Sequence, residues 1–359
     1  MSYIINCHTH LFTFNHVPHR FIRGQRLLAS SEAGRSRLAW LLFRLNPWSD
    51  DGALDRLSVF IRNGNFASQQ ELFERLSLFY PPSARFAVHA IDFDYMGAGR
   101  APKNYLAQLE ELAALKRKFP QKVYPFICLD PRRPNLYDLF RRYIEEETFS
   151  GIKLYPPLGY FPFDERLYPI YEYAQQRQIP IMTHCSSSTP VFGRDLPPKN
   201  ERIHPKTLEP MKYKTKRKFG DHYAHPDNYL WLLQDFPQLK ICFAHFGGDA
   251  QCRRYYKSND PDDIRDNWFV KVFQILKKYR NTYADISYAA ADFDLVALFS
   301  AFLHSPDTKN KILFGSDFYM SNLARNERWF SMNVRMHLGE ANYNQMAHDN
   351  AVRYLNIEA

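Results

Sequence analysis

Short apolar runs alternate along this chain with segments in which apolar residues recur at helical spacing. The apolar runs predict eight strands, near residues 3–8, 85–92, 122–129, 151–155, 179–184, 239–245, 282–287 and 311–316. Helical spacing occurs between them, at residues 104–119, 136–147, 165–176, 228–236 and 262–279. Because continuous apolar runs are typical of parallel strands buried on both faces, eight β-α units predict an α/β fold closed as a (β/α)8 TIM barrel.

Two stretches are too long to be ordinary connections, so we expect a distorted barrel with insertions, forming a single domain over residues 1–359. The first insertion, about residues 11–84, follows strand 1. It could pack on the barrel, cover the rim or, through the basic stretch from Arg37 to Arg44, rest on a membrane surface. Helical spacing within it is found at residues 36–45, 53–61 and 69–79.

The second insertion, about residues 191–222, follows strand 5 and is basic. Between Arg194 and Asp221 it holds nine Lys or Arg and four Asp or Glu. A solvated loop would account for this charge. Because βα-loops build the active-site face of a barrel, the segment could also be a lid that attracts an anionic substrate.

Composition narrows the class of partner. The chain has 47 Lys and Arg against 38 Asp and Glu, a formal net charge of +9, which favours anionic small molecules. No nucleic-acid-binding motif, no signal-like segment and no apolar run of membrane length is present, so neither nucleic acid nor a membrane is expected as a partner. The five cysteines lack C-x-x-C spacing, which fits a reducing cytoplasm.

Metal-ligand residues stand at the ends of the predicted strands. His8 and His10 are two apart on strand 1, so both imidazoles can point to one side. His184, His245 and Asp317 end strands 5, 6 and 8. Since the carboxyl ends of parallel strands meet at one rim, these groups should converge. Imidazoles and a carboxylate suit Zn²⁺, and catalytic zinc sites keep one position for water.

In its ordered set of motifs the chain resembles the amidohydrolase superfamily, in particular the branch with metal-dependent decarboxylases of aromatic or unsaturated acids and with lactonases. The resemblance covers the chain apart from the two insertions. The matching motifs are Cys7-His8-Thr9-His10, Gly151-Ile152-Lys153-Leu154-Tyr155-Pro156, Thr183-His184, His225-Pro226, Ala244-His245-Phe246-Gly247-Gly248 and Phe314-Gly315-Ser316-Asp317.

The resemblance implies a ligand set and two catalytic roles. It assigns His8, His10, His184 and Asp317 as ligands of one divalent metal, expected to be Zn²⁺. It places His245 beside the metal as an acid/base or as a donor to developing oxyanion charge. Asp317 would also accept a proton from metal-bound water, whose pKa zinc lowers to about 7.

Substrate-binding residues are less well marked. Lys153 ends strand 4, where two-metal members of the superfamily carry a carboxylated lysine. It could therefore bridge a second metal, although we favour one metal and a role for Lys153 in binding a substrate carboxylate. Further candidates for the pocket are Arg132, Arg133, Tyr155 and Arg325.

These observations lead to one main hypothesis about function. The chain is expected to be a cytoplasmic metal-dependent hydrolase that opens an amide, ester or lactone bond in a small, carboxylated substrate. The alternatives are a non-oxidative decarboxylase using the same metal, and a non-catalytic metal-binding barrel. The sequence leaves open whether the protein is a homo-oligomer.

Overall fold

The described part of the chain folds as a barrel of parallel strands surrounded by helices. The computed structural model describes residues 3–21, 53–199, 202–258, 260–318 and 326–357. Within these residues eight parallel strands form one sheet in the order of the chain, from β1 to β8. This confirms the predicted (β/α)8 architecture.

Each strand lies where an apolar run predicts one. The strands are β1 (Ile5–Thr9), β2 (Arg85–His89), β3 (Val123–Leu129), β4 (Gly151–Leu154), β5 (Ile181–Ser186), β6 (Ile241–Gly247), β7 (Thr282–Asp285) and β8 (Ile312–Leu313).

The described α-helices are α1 (Ala53–Gly64), α2 (Gln69–Ser77), α3 (Tyr105–Lys118), α4 (Leu136–Arg141), α5 (Tyr168–Arg177), α6 (Lys216–Tyr223), α7 (Asn228–Asp235), α8 (Asp249–Lys257), α9 (Pro261–Arg265), α10 (Trp268–Lys278), α11 (Asp294–His304), α12 (Glu327–Asn344) and α13 (Asn350–Leu355). Single π-helical turns follow α4 (Arg142–Glu146) and α12 (Gln345–Asp349), and 3-10 turns are formed by Phe93–Tyr95, Pro156–Leu158, Glu165–Leu167 and Ala289–Ala291.

The barrel closes where the chain after β8 returns to β1. The amide of Cys7 donates to the carbonyl of Phe314 at 2.8 Å, and Asp317 donates from its amide to the carbonyl of His8 at 2.8 Å. A parallel bridge also pairs Thr9 with Phe318. The closure therefore places Asp317 directly beside the histidines of β1.

Two apolar layers support the barrel. Inside it, residues such as Phe126, Met182 and Leu313 pack against Tyr354 of the last helix, α13, which fills one end of the barrel. Outside it, a larger cluster joins the strands to the surrounding helices. The polar groups of the site lie at the other end, on the carboxyl side of the strands.

Some predicted boundaries were wrong. The long helix over residues 262–279 is two helices, because Asn267 caps α10 by accepting hydrogen bonds from the amides of Phe269 and Val270. Strand 8 is only two residues long, since the chain after Leu313 bends towards β1.

The two insertions are partly described. In the first, α1 and α2 occupy the predicted helical stretches, whereas the predicted helix over residues 36–45 lies outside the described residues. The second ends in α6, with Thr215 as its cap, and the amide of Ser188 donates to the Asp221 carboxylate in this helix at 2.7 Å. A role as a lid stays a prediction. No helix in the described ranges has the length and apolar character required to span a membrane.

Candidate metal centre

A β-bulge in β1 turns the two predicted histidines inward. Cys7 packs in the barrel interior, so in a regular strand the side chain of His8 would point outward. Between Asn6 and Thr9 the register of β1 slips by one residue against β2. The Asn6 carboxamide oxygen accepts the His8 amide at 3.2 Å within this bulge. As a result His8 and His10 are both buried, with facing Nε2 atoms.

Hydrogen bonds fix the tautomers of these two rings. His8 Nδ1 lies 2.9 Å from Oδ2 of Asp285, and His10 Nδ1 lies 2.8 Å from the carbonyl oxygen of His89. Because these oxygens accept hydrogen bonds, both Nδ1 atoms carry the proton and both Nε2 atoms present lone pairs. The two Nε2 atoms are 3.2 Å apart.

A carboxylate completes this cluster of acceptors. Oδ1 of Asp317 lies 3.7 Å from Nε2 of His8 and 3.7 Å from Nε2 of His10. Asp317 adopts a left-handed backbone, with φ of 57°, as the chain turns across the rim. Gly315 allows the close approach, since a Cβ there would lie 2.6 Å from that of His8. Two lone pairs and a carboxylate around one point are a donor set suited to a divalent cation.

The fourth predicted ligand, His184 of β5, faces the same space. It is buried, and its Nε2 has no hydrogen-bond partner among the residues that the structure describes. Its ring centroid lies 4.9 Å from that of His245 and 4.6 Å from that of Tyr155. An unpaired buried imidazole nitrogen is costly unless it binds something, so it fits a metal ligand.

His245 reaches the site through a second bulge. Against β5, one extra residue is inserted in β6 between Ala244 and Gly247, and His245 has φ of 64°. Its amide donates to Oδ1 of Asp285 at 2.9 Å, and its Nδ1 donates to the carbonyl of Ser287 at 3.2 Å. Burial lowers the pKa of His245, while the Asp285 charge opposes this shift. The ring is thus neutral near pH 7, with Nε2 as its acceptor.

Two residues at the end of β7 that organise the histidines were not predicted from the sequence. Asp285 is fully buried and binds both the His8 ring and the His245 amide. Ser287 places its Oγ 3.0 Å from Nδ1 of His8 and 3.0 Å from Nδ1 of His245, and it also donates to Asp285. The only signal in the sequence was a carboxylate at the end of a predicted strand.

The cavity in front of the centre is small and mostly apolar. Its volume is about 220 Å³. Aromatic and aliphatic walls come from Phe12, Ile91, Tyr155, Val191 and Tyr288, with hydroxyl groups from the turn after β5 on one side. The predicted groups that line it are His10, Tyr155, His184, His245 and Asp317.

Comparison of this chain with models of known protein families shows the family to which it belongs. A family model described as amidohydrolase matches residues 5–357. The chain belongs to the amidohydrolase family. It is therefore an amidohydrolase-type, metal-dependent enzyme, as the sequence motifs predict. No curated protein matches it.

Similar solved structures share the fold of this amidohydrolase. A 5-carboxyvanillate decarboxylase from Novosphingobium aromaticivorans, solved with manganese and a methoxy-hydroxy-nitrobenzoic acid, is 14% identical over 99% of this chain and 97% of that one, with a TM-score of 0.57. A 2,6-dihydroxybenzoate decarboxylase in complex with 2,6-dihydroxybenzoate is 16% identical over 99% of this chain and 99% of that one, with a TM-score of 0.52. A 4-oxalomesaconate hydratase from Rhodopseudomonas palustris is 16% identical over 98% of this chain and 95% of that one, with a TM-score of 0.52.

Lys153 lies below the cavity of the amidohydrolase. Its Nζ is 3.1 Å from Nε2 of His8, and its side chain is fully buried. Burial lowers the pKa of Lys153 to about 8, while the charges of Asp317 and Asp285 raise it. Lys153 is not among the described residues that line the cavity. Its contact with His8 favours a role at the metal centre over the predicted contact with substrate.

The predicted arginines do not line the described cavity. Arg132 forms a bidentate ion pair with Asp130, at 2.8 and 2.6 Å. Arg133 forms another with Asp92, at 2.7 Å for each contact. Both guanidinium groups are thus held in place by carboxylates, which favours a structural role. Arg325 lies outside the described residues.

We predict that the purified protein holds about one divalent ion per chain. The four proposed protein ligands would leave one coordination position of this ion open for water or substrate. Elemental analysis of His184→Ala should show most of this metal lost. His304→Ala, which removes an exposed histidine of α11, is the matched control and should keep it. Two ions per chain together with a carboxylated Lys153 would contradict the mononuclear centre.

Asp285→Asn should weaken metal binding roughly 10- to 100-fold, the usual effect of losing an outer hydrogen-bond partner of a ligating histidine. The reason is that an uncharged amide holds the proton on Nδ1 of His8 less strongly than the Asp285 carboxylate does. Ser287→Ala should also weaken metal binding, but less strongly. It is the variant to use if Asp285→Asn folds poorly. Metal titration monitored by calorimetry measures both, with the exposed Asp307→Asn as control. Unchanged affinity in both variants would refute this role.

Proposed function

We propose that this amidohydrolase is a non-oxidative decarboxylase of a small aromatic carboxylic acid. The observation that carries the proposal is the lining of the cavity. Its walls are aromatic and aliphatic, and no Lys or Arg lines it within the described residues. A flat apolar ring fits these walls, whereas a carboxylate needs a cation.

Since the described cavity lacks Lys and Arg, the metal centre is the place where the carboxylate of the substrate would bind. His10, His184 and Asp317 line the cavity, so a cation held by them would face the substrate. A hydrolase acting on a carboxylated substrate needs the metal for the scissile carbonyl and a second cation for the carboxylate. A decarboxylase needs one cation only, because the carboxylate is itself the reacting group. The described cavity therefore favours decarboxylation over the hydrolysis that we expected from sequence.

Four side chains would hold the metal: His8, His10, His184 and Asp317. When bound, the metal supplies positive charge that fixes the carboxylate and stabilises negative charge that develops beside it. Imidazole and carboxylate ligands suit either zinc or manganese, so the predicted zinc remains one of two candidates.

Decarboxylation also needs a proton. When the bond between ring and carboxyl carbon breaks, CO2 leaves and the ring carbon keeps the electron pair, which a proton must then capture. Asp317 is the one proposed ligand that is a carboxylate, and it also lines the cavity, so it faces the substrate. We assign it the transfer of this proton. Nε2 of His245 then accepts a hydrogen bond from the substrate and orients the ring.

The aromatic wall positions the ring. Tyr155 lies over His184, with an interplanar angle of 32°, and its hydroxyl is 3.3 Å from Oγ1 of Thr189. A ring placed beside Tyr155 would present its carboxylate to the metal ligands. The relatives with similar folds support the proposal, since two are decarboxylases of aromatic acids by name and one of these contains manganese.

To test the reaction class, the protein loaded with Mn²⁺ or Zn²⁺ is supplied with aromatic monocarboxylic acids and, in parallel, with matching esters, amides and lactones. We expect CO2 release from the acids and no hydrolysis of the others, because only the acids place a carboxylate on the metal. Headspace CO2 and chromatography measure the two outcomes. Hydrolysis without CO2 release would contradict the proposal in favour of the hydrolase.

Replacing the two proposed catalytic residues should separate their roles. His245→Asn should leave metal content near normal and lower kcat/KM on the order of 10²- to 10⁴-fold, because the residue acts on the substrate. Asp317→Asn should lower both metal content and turnover, because an amide is a poorer ligand and cannot carry the proton. Loss of metal in the His245 variant would instead make His245 a ligand.

A further inference from the structure

One carboxylate lines the cavity apart from the metal centre. Asp249 is the first residue of α8, four positions after His245, and its side chain is 35% exposed where it borders the cavity. Asp317 is the other acidic residue in the described lining, and it belongs to the metal cluster. Asp249 is therefore a negative charge in a small cavity whose described lining contains no Lys or Arg.

Asp249 retains its capacity to accept hydrogen bonds. The nearest cation is Arg253, whose Nη2 lies 3.8 Å from Oδ2 of Asp249, beyond hydrogen-bond distance. The guanidinium of Arg253 is instead bound to Asp292, with Nε and Nη2 each 2.9 Å from Oδ2. Among the described residues, none donates a hydrogen bond to the carboxylate of Asp249.

We infer that Asp249 is a specificity-determining residue that selects substrates carrying one carboxylate and a hydrogen-bond donor, a hydroxyl or amino group, elsewhere on the ring. The inference rests on the proposed function, because it takes the reacting carboxylate to lie at the metal. A donor directed at Asp249 would satisfy a carboxylate that has no donor in the described protein. A second carboxylate at that position would meet the like charge of Asp249, and the described lining of the cavity offers no Lys or Arg to bind it.

This inference changes the expected substrate class. The basic composition of the chain predicts a preference for anions in general. In the cavity itself, however, negative charge is accepted only at the metal centre and is opposed at Asp249. The substrate is then a monocarboxylate with a polar donor, and aromatic dicarboxylates are excluded.

Equilibrium binding tests the inference without relying on turnover. The metal-loaded protein is titrated in a calorimeter with benzoate, with its meta- and para-hydroxy and amino derivatives, and with the meta- and para-dicarboxylates. The protein should bind the best donor-bearing acid about tenfold more tightly than benzoate, the effect of one hydrogen bond to a charged group that is partly exposed. It should bind both dicarboxylates more weakly than benzoate.

Asp249→Asn is the decisive variant. It should reduce the preference for donor-bearing acids to about twofold or less and strengthen binding of the dicarboxylates, with metal content unchanged. Asp262→Asn, which removes a charge that is 77% exposed on α9, is the matched control and should keep the selectivity of the wild-type protein.

The outcomes separate the two proposals. Selective binding that depends on Asp249, without CO2 release from any acid, would refute the decarboxylase and leave the inference standing. CO2 release with a preference that Asp249→Asn does not change, or with dicarboxylates bound as tightly as benzoate, would overturn the inference alone. If none of the acids binds to the metal-loaded protein, both are refuted.

Discussion

The site depends on the mutual repulsion of buried acceptors. Nε2 of His8 and Nε2 of His10 face each other across 3.2 Å, and a carboxylate oxygen of Asp317 lies 3.7 Å from each. Hydrogen bonds on the far side of both rings keep the protons away from this space. Burial makes such an arrangement unfavourable unless a cation neutralises it. Lys153 supplies one positive charge beside His8, and a divalent ion would satisfy all the acceptors together.

The barrel holds this arrangement through local departures from regular strand geometry. Bulges in β1 and β6 reverse the alternation of side chains, and they bring His8 and His245 inward. His245, Tyr288 and Asp317 all have positive φ, with values of 64°, 60° and 57°. Each such residue costs on the order of 1 kcal/mol or more, and strain of this kind collects at functional sites. The apolar layers inside and outside the barrel stabilise the fold enough to tolerate it.

Hydrophobic periodicity was enough to predict the fold, because eight buried parallel strands leave eight separate apolar runs. Of the predicted metal ligands, the structure brings His8, His10 and Asp317 into one cluster and points His184 at the same space. Asp285 and Ser287 could not be predicted, since their importance comes from hydrogen bonds across some 40 to 280 residues of sequence. The bulges could not be predicted either, because a one-residue shift in strand register does not change the spacing of apolar residues.

The sequence was least informative about substrate recognition. Net charge suggested an anionic substrate, and Arg132 and Arg133 were candidates for the pocket. Both arginines are instead paired with buried carboxylates, which spacing could not reveal. What lines the cavity depends on how the loops after several strands fold together, and this brings aromatic walls and Asp249 to one place. In the proposed function, surface charge attracts the anion, and inside the cavity the metal centre alone binds its carboxylate.

A crystal structure of the metal-loaded protein with an unreactive aromatic carboxylate, recorded at the absorption edge of the metal, tests this account most directly. We predict one anomalous peak, from a metal ion bound by Nε2 of His8 and of His10, by His184 and by Asp317. The carboxylate of the ligand should lie at the metal and its ring beside Tyr155. A ligand carboxylate held by arginine or lysine side chains, with only water on the metal, would contradict it.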